Sequence, residues 1–316
     1  MVPGLTDIDG IKVGTMSNTE AATGVTVVLV EEGARAAVEV RGSAPGTRET
    51  DLLLPGRLVE EVQALVLSGG SAFGLDTATG VMDYLEQCES GFPVDRFRIP
   101  IVPAAVLFDL VIGDGRVRPD KEMGFEACRK ASSGPVPEGS VGAGCGATVG
   151  KIHGMDYAVK SGQGSFALKK ENLIVAALVA VNAFGDVYDR RGRLLAGPRN
   201  PQTGLMEKTI DLILGGNGNG CSGNTTLGVV ATNANLDRPS LQKVCQLAHN
   251  GLARSICPVH TMWDGDTIFA LSRGDLDADV NIVGLMAQEA VSGAVERAVA
   301  SAASLCGIPA VSDLDK

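Results

Sequence analysis

The chain has 316 residues, of which 45% are hydrophobic and 20% are charged, and its formal net charge at pH 7 is −10. This composition is typical of a globular protein that is long enough to bury a large core. The negative charge argues against nucleic acids and anionic membranes as partners, because both repel an acidic surface.

The N-terminal residues and the cysteines favour a cytoplasmic location. The sequence MVPGLTDIDGIKVG is interrupted by Pro, Gly and Asp, so we expect no signal peptide. No apolar run approaches the roughly 18 residues that a membrane-spanning helix needs, so we expect no membrane partner. The seven cysteines include no C-x-x-C pair and are odd in number, which is typical of reduced, mostly buried thiols.

Histidine is scarce, since His153, His249 and His260 are its only occurrences. A histidine-rich metal site is therefore not expected, and a histidine-dependent triad is poorly supplied. Each of the three is more often structural than catalytic in this setting. We expect no metal and no cofactor, and catalysis that depends on other groups.

The first predicted element is a β-hairpin. Aliphatic and β-branched residues at 26–30 form one strand, a turn follows at 31–33, and a second alternating strand ends at Val40. Residues 41–54, RGSAPGTRETDLLL, then form a loop that is rich in Gly, Pro and charged residues.

A strand–turn–helix unit follows. The apolar residues at 62–67 predict a strand, and the glycine-rich turn at 68–74 leads into an amphipathic helix that ends near Gln87. Such a turn either aims backbone N–H groups at a ligand or allows close packing of helix and strand.

The middle of the chain contains two polar side chains in unusual surroundings. After a predicted helix at 121–132, the glycine-rich segment 139–151 ends at Lys151 but lacks the spacing of a phosphate-binding loop. Lys151 is either a buried functional lysine or an exposed lysine at a strand end. Asn182 interrupts the apolar strand predicted at 173–187, so its amide is bonded in the core or offered to a ligand; leaving it buried and unpaired would cost roughly 1 to 3 kcal/mol.

The most unusual segment is 215–236, GGNGNGCSGNTTLGVVATNANL, in which nine glycine and small polar residues precede Asn224 and Thr225. A glycine-rich segment can adopt backbone geometries that other residues resist. The β-branched run that begins at Thr225 predicts a buried strand. A flexible lead-in therefore ends at a hydroxyl on the first residue of a strand.

This segment permits three chemical interpretations. Gly218, Gly220 and Gly223 match the G-x-G-x-x-G dinucleotide motif. Residues 209–214 could be its preceding strand, but the run after the motif is strand-like and offers no helix N-terminus for a phosphate. The same residues nearly match a phosphate-binding loop, with Asn224 in the place of the lysine, which removes the charge that the motif needs.

The third interpretation is self-cleavage. The Thr225 hydroxyl would attack the Asn224 carbonyl, and hydrolysis of the resulting ester would leave Thr225 as a new N-terminus. Its α-amine, with a reference pKa of ~7.7 to 8.0, could then act as the base for its own hydroxyl. An ordinary glycine-rich surface loop is the alternative without chemistry.

The last part of the chain predicts two helices and an acidic pair. The first helix, at 240–256, is predicted to be capped by Ser240, and the second extends over 280–305. Between them, Asp264 and Asp266 lie two residues apart, so they share a face if the backbone is extended. Two such carboxylates repel unless a cation, such as an amine, lies nearby. A solvated acidic turn is the alternative.

Five segments in order resemble one family. They are VRGSAPGTRETDLL at 40–53, LSGGSAFGLD at 67–76, VGAGCGATVGK at 141–151, NTTLGVVATNA at 224–234 and DGDT at 264–267. The chain is thereby similar to the self-processing N-terminal-nucleophile-like aminopeptidases and amidases, which include the L-aminopeptidase/D-esterases, β-peptidyl aminopeptidases and nylon-oligomer hydrolases. The resemblance implies an α+β fold, a four-layer αββα sandwich of the ornithine acetyltransferase-like type. It also implies one domain over 1–316, cut into chains 1–224 and 225–316.

The resemblance also implies the roles of five residues. Thr225 falls on the nucleophile, Lys151 on an active-site lysine, and Asn182 on the asparagine that binds the oxyanion or reacting carbonyl. Asp264 and Asp266 fall on an acidic pair that would hold the Thr225 ammonium and the lysine. The aminopeptidase branch carries a Ser nucleophile and a Ser/Glu pair instead, so the chain resembles the nylon-oligomer hydrolase branch more closely.

The expected function is therefore a self-processing amide hydrolase. Its substrates would be short amide or peptide-like oligomers such as 6-aminohexanoate oligomers, and its two-chain units would self-associate into a homotetramer as in the family. One alternative is an aminopeptidase or β-peptidyl aminopeptidase of the same family. The others are a nucleotide-binding oxidoreductase that uses the loop at 218–223, and a catalytically idle structural or transferase relative.

Overall fold

The computed structural model describes residues 3–216 and 223–314. Within these ranges the strands are β1 (Lys12–Asn18), β2 (Thr23–Val40), β3 (Gly46–Arg48), β4 (Glu61–Ser68), β5 (Phe92–Val94), β6 (Phe97–Ile99), β7 (Ala104–Val106), β8 (Thr148–Val149), β9 (Val159–Lys160), β10 (Gln163–Lys170), β11 (Leu173–Asn182), β12 (Asp186–Tyr188), β13 (Leu194–Ala196), β14 (Thr225–Ala234), β15 (Ile256–Cys257) and β16 (Thr267–Leu276).

The α-helices in the same ranges are α1 (Thr77–Gln87), α2 (Lys121–Arg129), α3 (Thr209–Leu214), α4 (Arg238–Ser255), α5 (Val280–Ala300) and α6 (Val311–Leu314). Short 3₁₀ turns form at Leu5–Asp7, Asp51–Leu53, Ser71–Asp76, Gly142–Gly144 and Met155–Tyr157. None of the helices in this part of the chain combines the length and the apolar character needed to cross a membrane.

One long strand, β2, belongs to both halves of the main sheet. It pairs with β1 from Thr23 to Leu29 and with β16 from Arg35 to Val40, and β4 pairs with it over 25–29 and again at Ala34 and Arg35. The hairpin predicted for this region is wrong, because the chain passes through 31–33 without reversing. Here β16 replaces β1 beside β2, and the register with β4 shifts between Leu29 and Ala34.

The strands follow the order β10-β11-β14-β16-β2-β4-β7-β3, with β1 beside β2, and β2 divides this order into two halves. A central core joins the halves: it contains Leu178 and Phe269 from one and Val28 and Leu65 from the other. Helices α4 and α5 cover the outer face of the first half, and α1 and α2 cover that of the second. This arrangement of helices, two sheet halves and helices is the predicted four-layer αββα sandwich.

Helices α3 and α4 begin differently from the sequence-based expectation. The segment 209–214 is the helix α3, so its prediction as a strand is wrong. Helix α4 begins at Arg238 instead of Ser240, because the Asp237 side chain accepts the Ser240 N–H and Pro239 fits the first turn.

A buried carboxylate anchors the start of α3. The Thr209 N–H donates to both oxygens of Asp186, at 3.1 and 3.0 Å, and the Thr209 hydroxyl donates to Oδ1 at 2.5 Å. Burial raises the pKa of Asp186 from 3.8 to about 6. These bonds satisfy the first backbone donor of the helix, so a tertiary contact and not local propensity decides the conformation of 209–214.

We expect Asp186→Asn to remove a pH dependence of stability between about pH 4 and pH 6. In this window the folded parent holds a proton that the unfolded chain has lost, so its free energy of unfolding falls as pH rises, by up to ~3 kcal/mol. Urea unfolding of both proteins across the window measures this change. The free energy of unfolding of Asp186→Asn minus that of the parent should increase with pH. The same difference for the exposed Asp83→Asn control should not change with pH. A flat difference for Asp186→Asn as well would contradict the prediction.

Candidate active site

The strand pairing brings three of the predicted site residues to one edge of the sheet. Strand β14 begins at Thr225, which confirms the predicted strand. Thr225 is paired with Asn182, the last residue of β11. The residue before it, Asn224, forms a parallel bridge with Asp264. Because β14 lies between β11 and β16, residues from distant parts of the chain meet at its first residue.

The peptide bond between Asn224 and Thr225 is buried and polarised. The Thr225 hydroxyl lies 2.5 Å from the Asn224 carbonyl oxygen. That oxygen also accepts the N–H of Gly265 at 2.8 Å. The two residues are 1% and 4% exposed. A backbone N–H on a carbonyl oxygen is positioned to stabilise the negative charge that develops when a nucleophile adds to the carbonyl carbon.

Gly265 must be a glycine at this place. A Cβ atom there would lie 2.6 Å from Thr225 Oγ1 and 2.6 Å from the Ala44 carbonyl oxygen. Real Cβ atoms do not come so close to backbone oxygens, so any side chain would displace the Thr225 hydroxyl or the facing loop. The glycine of the DGDT motif therefore makes room for the hydroxyl.

Lys151 and Asn182 are in direct contact. Lys151 is buried, and its Nζ donates to Asn182 Oδ1 at 2.8 Å and to the Asn182 carbonyl at 3.3 Å. The Thr148 N–H donates to the same Oδ1 at 3.1 Å. The Asn182 Nδ2 donates to the carbonyls of Phe108, at 3.0 Å, and Gly223, at 3.3 Å. With both ends of its amide bonded, Asn182 has one orientation and touches the chain just before Asn224.

The acidic pair lies on the other side of β14. Asp264 and Asp266 are each 1% exposed, so the alternative of a solvated acidic turn is wrong. Asp266 Oδ1 accepts the Thr226 N–H at 2.7 Å, and Asp264 Oδ2 accepts the Thr261 N–H at 2.9 Å and its hydroxyl at 2.6 Å. Burial, followed by the charge of Asp266, raises the pKa of Asp264.

The loop that begins at Arg41 is hydrogen-bonded to the backbone of this acidic pair. The N–H groups of Arg41 and Gly42 donate to the Asp266 carbonyl, and that of Ala44 donates to the Asp264 carbonyl. A Cβ at Gly42 would lie 2.3 Å from the Asp266 nitrogen, so only glycine permits this approach. The RGSAPG motif therefore fixes the backbone that carries both carboxylates.

A cavity of about 240 Å³ opens beside the Asn224–Thr225 bond. Its walls combine apolar side chains with a few polar groups, which is the usual composition of a small-molecule site. The lining residues are Phe108, Asp109, Val111, Ile112, Gly146, Thr148, Lys151, Met155, Gly223 and Asn224.

The sequence reasoning missed Asp109, a buried carboxylate in the wall of this cavity. It accepts the Thr23 hydroxyl and the Gly70 N–H, each at 2.7 Å. Burial raises its pKa to about 6. A Cβ at Gly69 would lie 2.0 Å from Asp109 Oδ2. The glycine turn at 68–74 therefore makes room for the Asp109 side chain. Only the apolar run before Asp109 signalled a buried environment.

A second missed residue is Lys160, whose side chain is fully buried. Its ammonium donates to the carbonyls of Gly144, at 3.3 Å, Ala147, at 2.9 Å, and Ser161. Burial lowers its pKa to about 7. The Ala147 carbonyl and the Thr148 N–H belong to the same peptide group, and this N–H donates to Asn182. Lys160 therefore supports the orientation of the Asn182 amide through that peptide group. A lone lysine in a polar stretch gave no sequence signal for this role.

The surroundings of the glycine segment do not fit a dinucleotide site. Gly218 and Gly220 lie outside the described residues. The motif needs a strand before it and a helix after it. Here the helix α3 comes before the segment and the strand β14 after it. Within residues 3–216 and 223–314, no group of three or more His, Cys, Asp or Glu side chains is placed to hold a metal ion.

The structure resembles that of the L-aminopeptidase D-Ala-esterase/amidase of Ochrobactrum anthropi, which is described as a new variant among the Ntn hydrolase folds. The TM-score is 0.71 at 19% sequence identity, over 95% of this chain and 86% of that chain. The likeness confirms the predicted fold class.

The sequence matches the model of peptidase family S58 over residues 4–310. It is 39% identical to a protein of Mycobacterium leprae (strain TN) named uncharacterized aminopeptidase, over 96% of this chain and 92% of that protein. It is 31% identical to the 6-aminohexanoate-oligomer endohydrolase of Paenarthrobacter ureafaciens, over 92% of this chain and 84% of that enzyme. The family resemblance carried by the five segments is confirmed. The chain belongs to peptidase family S58 and is a hydrolase of peptide or amide bonds.

Proposed function

We propose that the chain cuts itself between Asn224 and Thr225 and then uses Thr225 as an N-terminal nucleophile against short amide oligomers such as 6-aminohexanoate oligomers. One observation carries this proposal: the Thr225 hydroxyl lies against the carbonyl of the residue before it, and the Gly265 N–H bonds the oxygen of that carbonyl. These two contacts would bring the attacking group and the oxyanion donor to the same carbonyl.

The cut proceeds by an acyl shift. Thr225 Oγ1 adds to the Asn224 carbonyl carbon, and the negative charge on the carbonyl oxygen is stabilised by the Gly265 N–H. The C–N bond then breaks, which leaves an ester on Oγ1 and transfers the hydroxyl proton to the new amine of Thr225. Water hydrolyses the ester, so Asn224 ends in a carboxylate and the Thr225 hydroxyl is regenerated.

The same groups serve a substrate amide. Its acyl carbonyl takes the place of the Asn224 carbonyl, and the Thr225 amine accepts the hydroxyl proton as general base and passes it to the leaving amine. The acyl group is then held as an ester on Thr225 Oγ1, and water hydrolyses this ester, which releases the acid and regenerates the hydroxyl. The Asn182 Nδ2, once the cut releases its bond to the Gly223 carbonyl, and backbone N–H groups stabilise the oxyanion, and one such donor is typically worth ~2.7 to 4 kcal/mol of barrier. Lys151 adjusts the basicity of the amine by its charge, and Asp264 and Asp266 hold the two cations.

Two observations support the oligomer as substrate. The relative at 31% identity over most of both chains is named a 6-aminohexanoate-oligomer endohydrolase. The cavity beside the bond also has apolar walls formed by Phe108, Val111, Ile112 and Met155, which suit a methylene chain. The name of the relative at 39% identity favours an aminopeptidase as the second candidate.

The two candidates differ in their need for a free amino terminus. Linear 6-aminohexanoate oligomers and their N-acetylated forms should both be cut, with shorter oligomers among the first products seen by mass spectrometry. An activity confined to substrates with a free terminal amine, releasing one residue at a time, would replace the oligomer hydrolase with the aminopeptidase. A fully cut protein without activity on any amide would contradict both.

We also propose that the two-chain units self-associate, up to a homotetramer, and act in the cytoplasm. Large apolar side chains are exposed at Leu58, Leu205, Leu214 and Met262, and their burial against another unit would be favourable. Light scattering of the purified protein measures the number of units.

A further inference from the structure

Asp266 is held by two donors from a single residue. The His260 backbone N–H donates to Asp266 Oδ2 at 3.1 Å, and the ring Nδ1 of His260 lies 2.8 Å from the same oxygen. The other oxygen, Oδ1, accepts the Thr226 N–H, which belongs to the peptide group that follows Thr225. Three N–H groups therefore fix the position and the rotation of this carboxylate.

The backbone of His260 has a strained conformation where it makes these two contacts with Asp266. Its φ of +57° lies in the left-handed region, which is unfavourable for a residue with a side chain. Such conformations persist where the surrounding contacts impose them, and they are concentrated at functional sites. Here the conformation turns both the backbone N–H and the ring toward the same carboxylate oxygen.

The ring must donate through Nδ1, because a carboxylate oxygen only accepts. The other ring nitrogen, Nε2, is buried and has no hydrogen-bond partner among the described residues. The His249 ring packs edge-on at 4.9 Å, and burial lowers the pKa of His249 to about 4, so this neighbour is neutral near pH 7.

We propose that His260 is a positioning residue, whose two donors hold the Asp266 carboxylate against the Thr225–Thr226 peptide and beside the amine that the cut creates. This inference rests on the proposed function. His260 does not touch the reacting bond; it acts through Asp266. Loss of its ring donor leaves the Asp266 carboxylate held by two N–H groups instead of three, which loosens the alignment of the Thr225 amine without removing any group that binds the substrate.

Three variants at this position separate the ring donor from the strain. Asn places an amide N–H where Nδ1 lies, Asp has the same shape but only acceptors, and Gly removes the side chain; all three tolerate a left-handed φ. His260→Asn should keep kcat near that of the parent. His260→Asp and His260→Gly should lower kcat by a factor on the order of 10², with little change in KM. The exposed His153→Asp serves as the control.

Equal kcat values for His260→Asn and His260→Gly, in proteins with similar melting temperatures, would overturn the role of the donor. A second measurement does not depend on activity. The ¹⁵N NMR signals of the His260 ring in the parent should report a proton on Nδ1, and a proton on Nε2 alone would overturn the inference. A parent that neither cuts itself nor hydrolyses amides would instead refute the proposed function, whatever the NMR result.

Discussion

Replacing Thr225 with Ala is expected to leave the chain uncut at 316 residues and to lower amide hydrolysis by a factor of about 10⁴ or more. In the proposed function one hydroxyl carries out both reactions, since the Oγ1 that lies 2.5 Å from the Asn224 oxygen would also attack the substrate. A denaturing gel measures the first effect and a substrate assay the second. In the parent, N-terminal sequencing of the smaller chain should read Thr-Thr-Leu-Gly.

The adjacent threonine offers a matched control. The Thr226 side chain is equally buried, and its hydroxyl oxygen has no hydrogen-bond partner among the described residues. Valine has the shape of threonine, so the Thr226→Val protein should cut itself and hydrolyse amides nearly as the parent does. The Thr225→Ser protein keeps a hydroxyl at position 225 and should carry out both reactions, unlike Thr225→Ala. A cut that persists in Thr225→Ala would show that a different nucleophile makes it.

Asp264→Asn and Asp266→Asn are each expected to lower amide hydrolysis by a factor on the order of 10² or more. Each change keeps the size of the side chain and removes a charge from a site where both carboxylates are 1% exposed. The Thr225 amine and Lys151 then lose a counter-ion, and the nucleophile loses its alignment. The fold should survive, since the backbone around both positions is held by the loop that begins at Arg41.

The assay of these variants includes a chelator, because two carboxylates can also bind a metal. The parent should keep its activity in the chelator, and the exposed Asp156→Asn, whose residue lies next to the cavity-lining Met155, should behave as the parent in both conditions. Parent activity that the chelator abolishes, or full activity in both Asp variants, would show that the pair does not act as the counter-ion of the cations in the site.

Local pattern placed buried polar side chains better than it predicted the strand partners. The hydroxyl at the start of a β-branched run and the amide in an apolar run are both buried, and Thr225 pairs with Asn182. The turn signal at 31–33 is equally real in the sequence, yet β2 stays extended there because β4 pairs with it on both sides of the signal and β16 replaces β1 as its other neighbour. Which strands are available as partners is a property of the whole fold.

The residues that were missed are those whose partners lie far away or need a special backbone. Asp109 is bonded by Thr23, 86 residues earlier in the chain, and by Gly70, 39 residues earlier. Lys160 serves Asn182 only through an intervening peptide group. His260 looked structural because its contact with Asp266 requires a left-handed backbone, which histidine rarely adopts and which no pattern of neighbours announces.

The strand order of the main sheet decides what a cut at Asn224 would produce. Strands β14 and β16, from the C-terminal fragment, lie between β11 and β2, from the N-terminal fragment. The two fragments would thus be interleaved, with a hydrogen-bonded seam on each side of the inserted pair. Dilution alone would not separate them, because dissociation would require tearing open the middle of the sheet. Fragments that are made apart would likewise have to fold together, so mixing two prefolded halves would not rebuild the enzyme.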